Sequence, residues 1–180
     1  PIPGRELKGV HLAMEYLTQQ NKRIAGIPVT DEPIMAKGKR VVIIGGGDTG
    51  SDCLGTVHRQ GCIEAHQFEL LPEPPPTRAD STPWPLWPMQ LRTSHAHEEG
   101  CDRQWSISTT KFTGHNGQVT KLHGNRVKFE NGKFTPMPKS DFEMDVDLVL
   151  LAMGFTGPVK NGLLDSLGVK YDQRGAVAVD

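Results

Sequence analysis

The chain has 180 residues, and its 20 Lys and Arg against 21 Asp and Glu give a formal net charge of -1. This balance excludes the basic surface that nucleic acid or an anionic membrane requires, and no apolar run reaches the ~18 residues that span a bilayer, so we expect neither partner. Three scattered cysteines, Cys53, Cys62 and Cys101, form no disulfide or metal-binding pattern, which favours a reducing, cytoplasmic location.

The first predicted elements lead into a glycine-rich turn. Apolar residues at helical spacing predict an amphipathic helix from Val10 to Arg23, and Gly and Pro residues predict a loop over residues 24–38. Val41–Ile44 is a short apolar run, typical of a central parallel strand that is buried on both faces. A helix over Ser51–Gln60 and a second strand over Glu64–Leu71 follow.

Between the predicted strand Val41–Ile44 and the helix that follows it, Gly45–Gly50 satisfies the pattern G-x-G-x-x-G. The strand, turn, helix and strand context favours a dinucleotide-binding turn over a purely structural one. Gly45 permits the tight turn, Gly47 lets the backbone approach a pyrophosphate, and Gly50 lets helix and strand pack closely. The free amides and the positive end of the helix dipole would then face the phosphates.

Polar side chains near the turn bear on cofactor choice. Asp48 and Thr49 are expected to cap the helix, and Thr49 also to support the pyrophosphate. Glu69 lies nineteen residues beyond the last motif glycine, where an acid accepts hydrogen bonds from the ribose 2′-hydroxyl of NADH. An ordinary exposed strand residue is the alternative, and Arg78 or Arg92 could reach the 2′-phosphate of NADPH. The choice between NADH and NADPH therefore stays open.

After the second predicted strand, the sequence becomes rich in proline. Pro72–Pro88 contains too many prolines for a regular helix or a central strand, which predicts a rigid surface excursion. A lid or docking surface built on Trp84 and Trp87 is the alternative. The polar loop that follows holds possible zinc ligands at His95, His97, Glu98 and Cys101. Their spacing fits no standard site, so no metal is expected.

Strand-like runs follow at Ser106–Thr113, Val119–Leu122, Arg126–Glu130 and Val146–Ala152. Turn signals at Asn116-Gly117 and Gly124-Asn125 predict that the first three form an antiparallel meander. The tail contains a predicted short helix at Asn161–Leu167 and a final strand at Ala176–Val179. The whole pattern predicts an α/β fold: a Rossmann-like parallel sheet with helices and an inserted antiparallel β-meander.

Five segments resemble the glutamate synthase small (beta) subunit family. They are Val41–Cys53, Phe68–Pro72, Pro83–Pro88, His97–Gly100 and Ala152–Pro158. The first is similar to that family's pyridine-nucleotide motif, and the last to its hinge segment, where the chain returns to the FAD domain. The Trp-Pro segment is more specific to the family than the glycine motif.

The resemblance implies a fold of the FAD/NAD(P)-binding three-layer type, with an NAD(P)H domain inserted into an FAD domain of the flavoprotein disulfide-reductase type. Residues 1–38 would be a helix and linker from the FAD domain, 39–155 the NAD(P)H-binding domain, and 156–180 the return segment. Hydride would pass from NADH or NADPH to FAD, and electrons through iron–sulfur clusters to the large subunit, which makes glutamate from glutamine and 2-oxoglutarate. FAD and the clusters are expected outside this chain, which alone would bind nucleotide without turnover.

The resemblance also implies a set of binding residues. The expected cofactor-binding residues are Gly45, Gly46, Gly47, Asp48, Thr49, Gly50, Glu69, Met153, Gly154 and Phe155. No catalytic side chain is expected, because the two cofactors carry out hydride transfer and the protein aligns them. The alternatives are an NAD(P)H module of a transhydrogenase or a dihydropyrimidine dehydrogenase-like enzyme, and a non-catalytic dinucleotide-sensing domain.

Overall fold

The computed structural model describes residues 2–179. The strands are β1 (Val10–Leu12), β2 (Arg40–Ile44), β3 (Glu64–Phe68), β4 (Asp102–Gln104), β5 (Ile107–His115), β6 (Gln118–Glu130), β7 (Lys133–Pro136), β8 (Phe142–Asp145) and β9 (Leu148–Leu151). The helices are α1 (Ala13–Ile24), α2 (Asp48–Arg59), α3 (His95–Glu98) and α4 (Leu163–Ser166). Within the described residues no helix is long and apolar enough to cross a membrane.

A five-stranded parallel sheet organises the chain in the order β1-β9-β2-β3-β4. The last strand, β9, returns to lie between β1 and β2, with Val42 opposite Val149. Val41, Val42 and Ile43 are at most 1% exposed, which confirms the predicted central strand. At the strand's first residue, the Arg40 guanidinium donates two hydrogen bonds to the carboxylate of Asp147, both 2.9 Å long, which fixes the start of β2 beside β9.

The alternation of side chains along β2 separates two cores. Val41 and Ile43 pack with residues of α1 and α2 on one face of the sheet, whereas Val42 packs with the antiparallel strands on the other. This period of two is the geometry of an extended strand. The result is a mixed α/β fold with helices, parallel sheet and antiparallel meander in three layers, as the sequence predicted.

The antiparallel layer differs from the predicted three-stranded meander. β6 is one continuous strand across Gly124-Asn125, so the predicted turn there is wrong. The backbone at Gly124 is paired on both sides, with Thr109 of β5 and Phe142 of β8, and this pairing outweighs the local turn preference. β7 and β8 both pair with β6 as well, which makes the sheet four-stranded.

Several other elements begin or end at residues that differ from the predicted ones. Residues Val10–Leu12 form a strand instead of the first helical turn, because they pair with β9. Helix α2 begins at Asp48, three residues before the predicted start, and β3 ends at Phe68, three residues before the predicted end. The predicted Ala176–Val179 strand reduces to an isolated bridge between Tyr171 and Val177.

Candidate functional site

The glycine turn leaves the carboxyl end of β2 between β9 and β3. Gly45 has a φ of 127°, a conformation that favours glycine. A Cβ atom there would lie 2.2 Å from the carbonyl oxygen of Ala152, just beyond β9. The Gly45 amide donates to the Phe68 carbonyl at 2.8 Å. A side chain is therefore excluded, and the turn stays in contact with the ends of both neighbouring strands.

The last motif glycine lets helix α2 approach this turn. A Cβ atom at Gly50 would lie 2.3 Å from the Gly45 carbonyl oxygen and 2.6 Å from the side-chain nitrogen of Gln67. Gly50 is buried in the first turn of α2. Close contact between helix and turn, as the motif predicts, therefore requires glycine here.

The middle glycine is different. Gly47 is the N-cap residue of α2, and no heavy atom of the described residues lies within 4 Å of the point where its Cβ would stand. Within residues 2–179 the amides of Gly47–Gly50 have no hydrogen-bond acceptor, while the next amide, that of Ser51, donates to the Gly47 carbonyl at 3.1 Å. Unpaired amides at a helix N-terminus form a site for an anion.

The expected capping role of Asp48 is wrong. Gly47 occupies the N-cap position, which leaves Asp48 as the first residue of α2 with its side chain exposed. Thr49 follows in the same turn and is half-buried. Because no side chain of α2 satisfies the first amides, they remain free for a ligand.

Glu69 lies directly against the glycine turn. Its carboxylate accepts the Gly46 amide at 2.7 Å through Oε2 and the Leu71 amide at 3.0 Å through Oε1. A carboxylate has about four acceptor positions, so each oxygen keeps capacity for another donor. These two bonds fix an anionic acceptor beside the turn, and Glu69 is no freely rotating surface side chain.

Two open lobes meet at Gly46–Asp48. The large lobe has a volume of about 940 Å³ and extends under the loop of residues 69–94; its walls include Glu69, Trp87, Arg92, Arg103 and Trp105. The small lobe, of about 750 Å³, lies at the ends of β2 and β9. The free amides at the start of α2 thus stand where the two lobes join.

Two arginines, Arg92 and Arg103, line the large lobe, whereas Arg78 does not. Arg78 donates to the backbone oxygens of Thr82 and Leu86 at 2.9 and 3.0 Å, so its guanidinium is held within the loop. The Arg92 guanidinium stacks 3.9 Å from the ring centre of Trp87. Arg103 was not considered from the sequence, yet it donates to the Arg92 carbonyl at 3.1 Å and lines the large lobe.

The hinge residues are only partly brought to the site. Met153 and Gly154 line the small lobe together with Gly45 and Thr49. Phe155 does not line this lobe, and 84% of it is exposed. Eight of the ten sequence-predicted binding residues therefore line the two lobes. Gly50 is buried behind the turn, against the Gly45 carbonyl, and Phe155 lies at the surface.

The possible zinc ligands after the loop do not converge. His95 is fully exposed and contacts Glu98 at 3.3 Å, while burial raises the pKa of Cys101 to about 11. Across residues 2–179 no group of three His, Cys, Asp or Glu side chains is arranged to hold a metal ion. His97 instead bonds the side chain of Gln67 at 2.8 Å.

Gln67, like Arg103, is a site residue that sequence reasoning missed. It is only 2% exposed, and its Nε2 donates to the Gly45 carbonyl at 2.9 Å. Little signal was available, since Gln67 is one of three polar residues in β3, and only the fold shows that it is the buried one. A buried amide must be hydrogen-bonded, but its partner thirty residues away could not be read from local pattern.

Comparison with known proteins agrees with this geometry. The whole chain, residues 1–180, matches the family model described as pyridine nucleotide-disulphide oxidoreductase. The chain is 58% identical over 182 residues to the glutamate synthase (NADPH) small chain of Mycobacterium tuberculosis, across 99% of this chain. It is 39% identical over 193 residues to the glutamate synthase (NADH) of Saccharomyces cerevisiae, again across 99% of this chain.

The matched proteins are longer. The chain spans 37% of the mycobacterial protein and 9% of the yeast protein. Among solved structures, an FAD-dependent pyridine nucleotide-disulphide oxidoreductase from Desulfovibrio vulgaris matches the entire chain with a TM-score of 0.57 at 21% identity, over 38% of its own length. That likeness shows a shared fold.

Proposed function

Because this chain belongs to the pyridine nucleotide-disulphide oxidoreductase family, we propose that it binds NADH or NADPH and aligns it for hydride transfer to FAD. We further propose that this step is the electron input of a glutamate synthase. Relatives at 58% and 39% identity that carry the name glutamate synthase favour this enzyme over a transhydrogenase or a dihydropyrimidine dehydrogenase-like module.

One observation carries the nucleotide-binding proposal. Four consecutive amides, Gly47–Gly50, have no acceptor within the described residues, and they stand at the junction of two lobes. The positive end of the α2 dipole adds to their attraction for an anion. The open space above Gly47 is what a pyrophosphate needs in order to approach the backbone.

The two lobes suit the two halves of a dinucleotide. We place the adenosine half in the large lobe, where Glu69 can accept hydrogen bonds from a ribose. The nicotinamide half then lies in the small lobe beside Met153 and Gly154. Nicotinamide and flavin supply the hydride chemistry when both are bound, and the chain contributes binding, orientation and exclusion of water.

In this proposal Glu69, held in place by its two hydrogen bonds, favours NADH. A carboxylate beside the ribose repels a 2′-phosphate but accepts a hydrogen bond from a 2′-hydroxyl. Arg92 and Arg103, both on the wall of the large lobe, support NADPH as the second candidate. The names of the relatives do not decide between the two nucleotides, since the mycobacterial name contains NADPH and the yeast name contains NADH.

The remaining functions belong to other parts of the proposed enzyme. We propose that FAD and iron–sulfur clusters are bound outside this chain, that a large subunit receives the electrons and makes glutamate, and that the enzyme is cytoplasmic. The division into residues 1–38, 39–155 and 156–180 is part of the same proposal. In the structure, β1 lies within residues 1–38 and forms an edge strand of the same parallel sheet as β2, the strand that precedes the glycine turn.

Calorimetric titration of the purified protein with NADH and with NADPH tests the proposal. We expect saturable binding of at least one nucleotide, and we expect Gly47→Leu to weaken it by about 100-fold, because the new side chain displaces the pyrophosphate from several charge-assisted bonds.

The control is thermal unfolding of the same variant. The Gly47 Cβ position faces open space, so Gly47→Leu should remain folded and should lose only the few degrees of unfolding temperature expected for an apolar residue at a helix N-cap. An unchanged affinity in this folded variant contradicts the pyrophosphate assignment.

A further inference from the structure

A chain of hydrogen bonds crosses the interior from the glycine turn to the end of the loop of residues 69–94. The buried Gln67 side chain donates from Nε2 to the Gly45 carbonyl at 2.9 Å. Its Oε1 accepts from His97 Nε2 at 2.8 Å. Each end of the amide has one partner of the correct type, so its orientation is fixed.

The other face of the His97 ring continues the chain. Nδ1 accepts the Ser94 backbone amide at 3.0 Å, and the Ser94 hydroxyl lies 2.9 Å from the same nitrogen. A backbone amide can only donate, so Nδ1 must carry no proton while Nε2 carries one. Only the neutral ring with its proton on Nε2 satisfies both contacts.

This relay of Ser94, His97 and Gln67 connects the two walls of the large lobe. Ser94 ends the loop that forms the far wall, and Gly45 begins the turn that forms the near wall. Gln67 Nε2 would lie 2.6 Å from a Cβ atom at Gly50, so the relay also lies against the first turn of α2.

We propose that His97 and Gln67 are positioning residues for the nucleotide, holding the loop against the glycine turn only while His97 is neutral. The inference rests on the nucleotide-binding function proposed above. Protonation of Nδ1 would place two donors, the ring and the Ser94 amide, against each other and release the loop. The large lobe would then lose its far wall, and dinucleotide affinity would fall.

Charged groups from several elements line the large lobe together with His97. Arg103 projects from β4, Arg92 from the loop, Asp48 from α2 and Glu69 from the end of β3, all on the wall of the same lobe. His95 and Glu98 lie on α3 itself. Burial, and after it the positive charge of Arg103, lower the pKa of His97 below its ordinary value of 6.5. The relay is therefore complete at neutral pH and opens only as the pH falls below that value.

Titration with NADH, or with NADPH if the latter binds better, between about pH 5.5 and pH 8 tests this proposal. We expect the affinity of the unchanged protein to fall by about two- to fivefold towards the acid end, because His97 takes up its proton only below pH 6.5 and a buried donor then loses its acceptor. His97→Gln should keep a donor to Gln67 but remove this pH dependence. His95→Gln is the matched control on the same helix and should keep it, because His95 is exposed.

A second measurement needs no variant. Since binding and protonation are linked reciprocally, the pKa of His97 followed by NMR should fall when the nucleotide binds. A rise would mean that the ring contacts a phosphate directly, which overturns the relay, as does an unchanged value.

The outcomes separate the two proposals. Saturable binding with a pH profile that His97→Gln leaves unchanged overturns the relay alone. Failure of the unchanged protein to bind either nucleotide at any pH overturns the proposed function and the relay together.

Discussion

A Cβ atom at Gly45 or Gly50 would stand 2.2 or 2.3 Å from a backbone oxygen, whereas one at Gly47 would meet no described atom within 4 Å. The first two glycines are therefore explained by packing within the protein. Gly47 is not, and under the proposed function its missing side chain leaves room for the pyrophosphate. The sequence motif predicted this division of roles, and the distances at Gly45 and Gly50 agree with it.

Glu69 is the residue on which cofactor choice depends in the proposed function. Replacement by Gln keeps one acceptor oxygen near the Gly46 amide but removes the negative charge. We expect Glu69→Gln to shift the ratio of NADPH to NADH affinity about tenfold towards NADPH, because repulsion of a 2′-phosphate disappears.

Parallel titrations with the two nucleotides measure that ratio. Glu64→Gln removes the same charge from the opposite end of β3 and serves as the control, with an unchanged ratio. If Glu69→Gln leaves the ratio at its original value, Glu69 does not contact the ribose. The arginines of the large lobe would then be the residues that select between NADH and NADPH.

At the scale of elements, the strand and helix around the turn were predictable because each has a strong, local pattern. Val41–Ile44 is wholly apolar and became β2, and the helix after the glycines became α2. β1 and the undivided β6 were not predictable. Val10–Leu12 has helical spacing but pairs with β9, and Gly124 has turn chemistry but is paired on both sides. Pairing partners distant in sequence overrode local preference in both cases.

The contact between α2 and the glycine turn gives an element-scale prediction. Gly50→Ala places a Cβ against the Gly45 carbonyl and the Gln67 amide, so the helix must move away. We expect a loss of about 1–3 kcal/mol of unfolding free energy, typical of overpacking in a core, measured by urea denaturation.

Gly55→Ala is the control on the same helix. Its Cβ would meet mainly the movable end of the Arg59 side chain, and alanine favours helix by about 1 kcal/mol over glycine. We expect this variant to be near neutral or slightly stabilised. Equal destabilisation by both substitutions would show that close packing at Gly50 has no special importance.

At the scale of the whole molecule, the three layers were predictable because the apolar pattern switches between helical and strand periods along the chain. The complete site was not. Its turn comes from β2, its anionic acceptor from the end of β3, its far wall from the loop of residues 69–94, and its small lobe from the end of β9. Only the folded sheet brings these segments together, since the carboxyl ends of its parallel strands meet at one edge.

A crystal structure of the protein with NADH or NADPH bound tests the central claim most directly. We expect the pyrophosphate oxygens to lie about 2.7–3.2 Å from amides within Gly47–Gly50, with adenosine in the large lobe and nicotinamide in the small one. A nucleotide bound elsewhere, with these amides facing only water, would contradict the account.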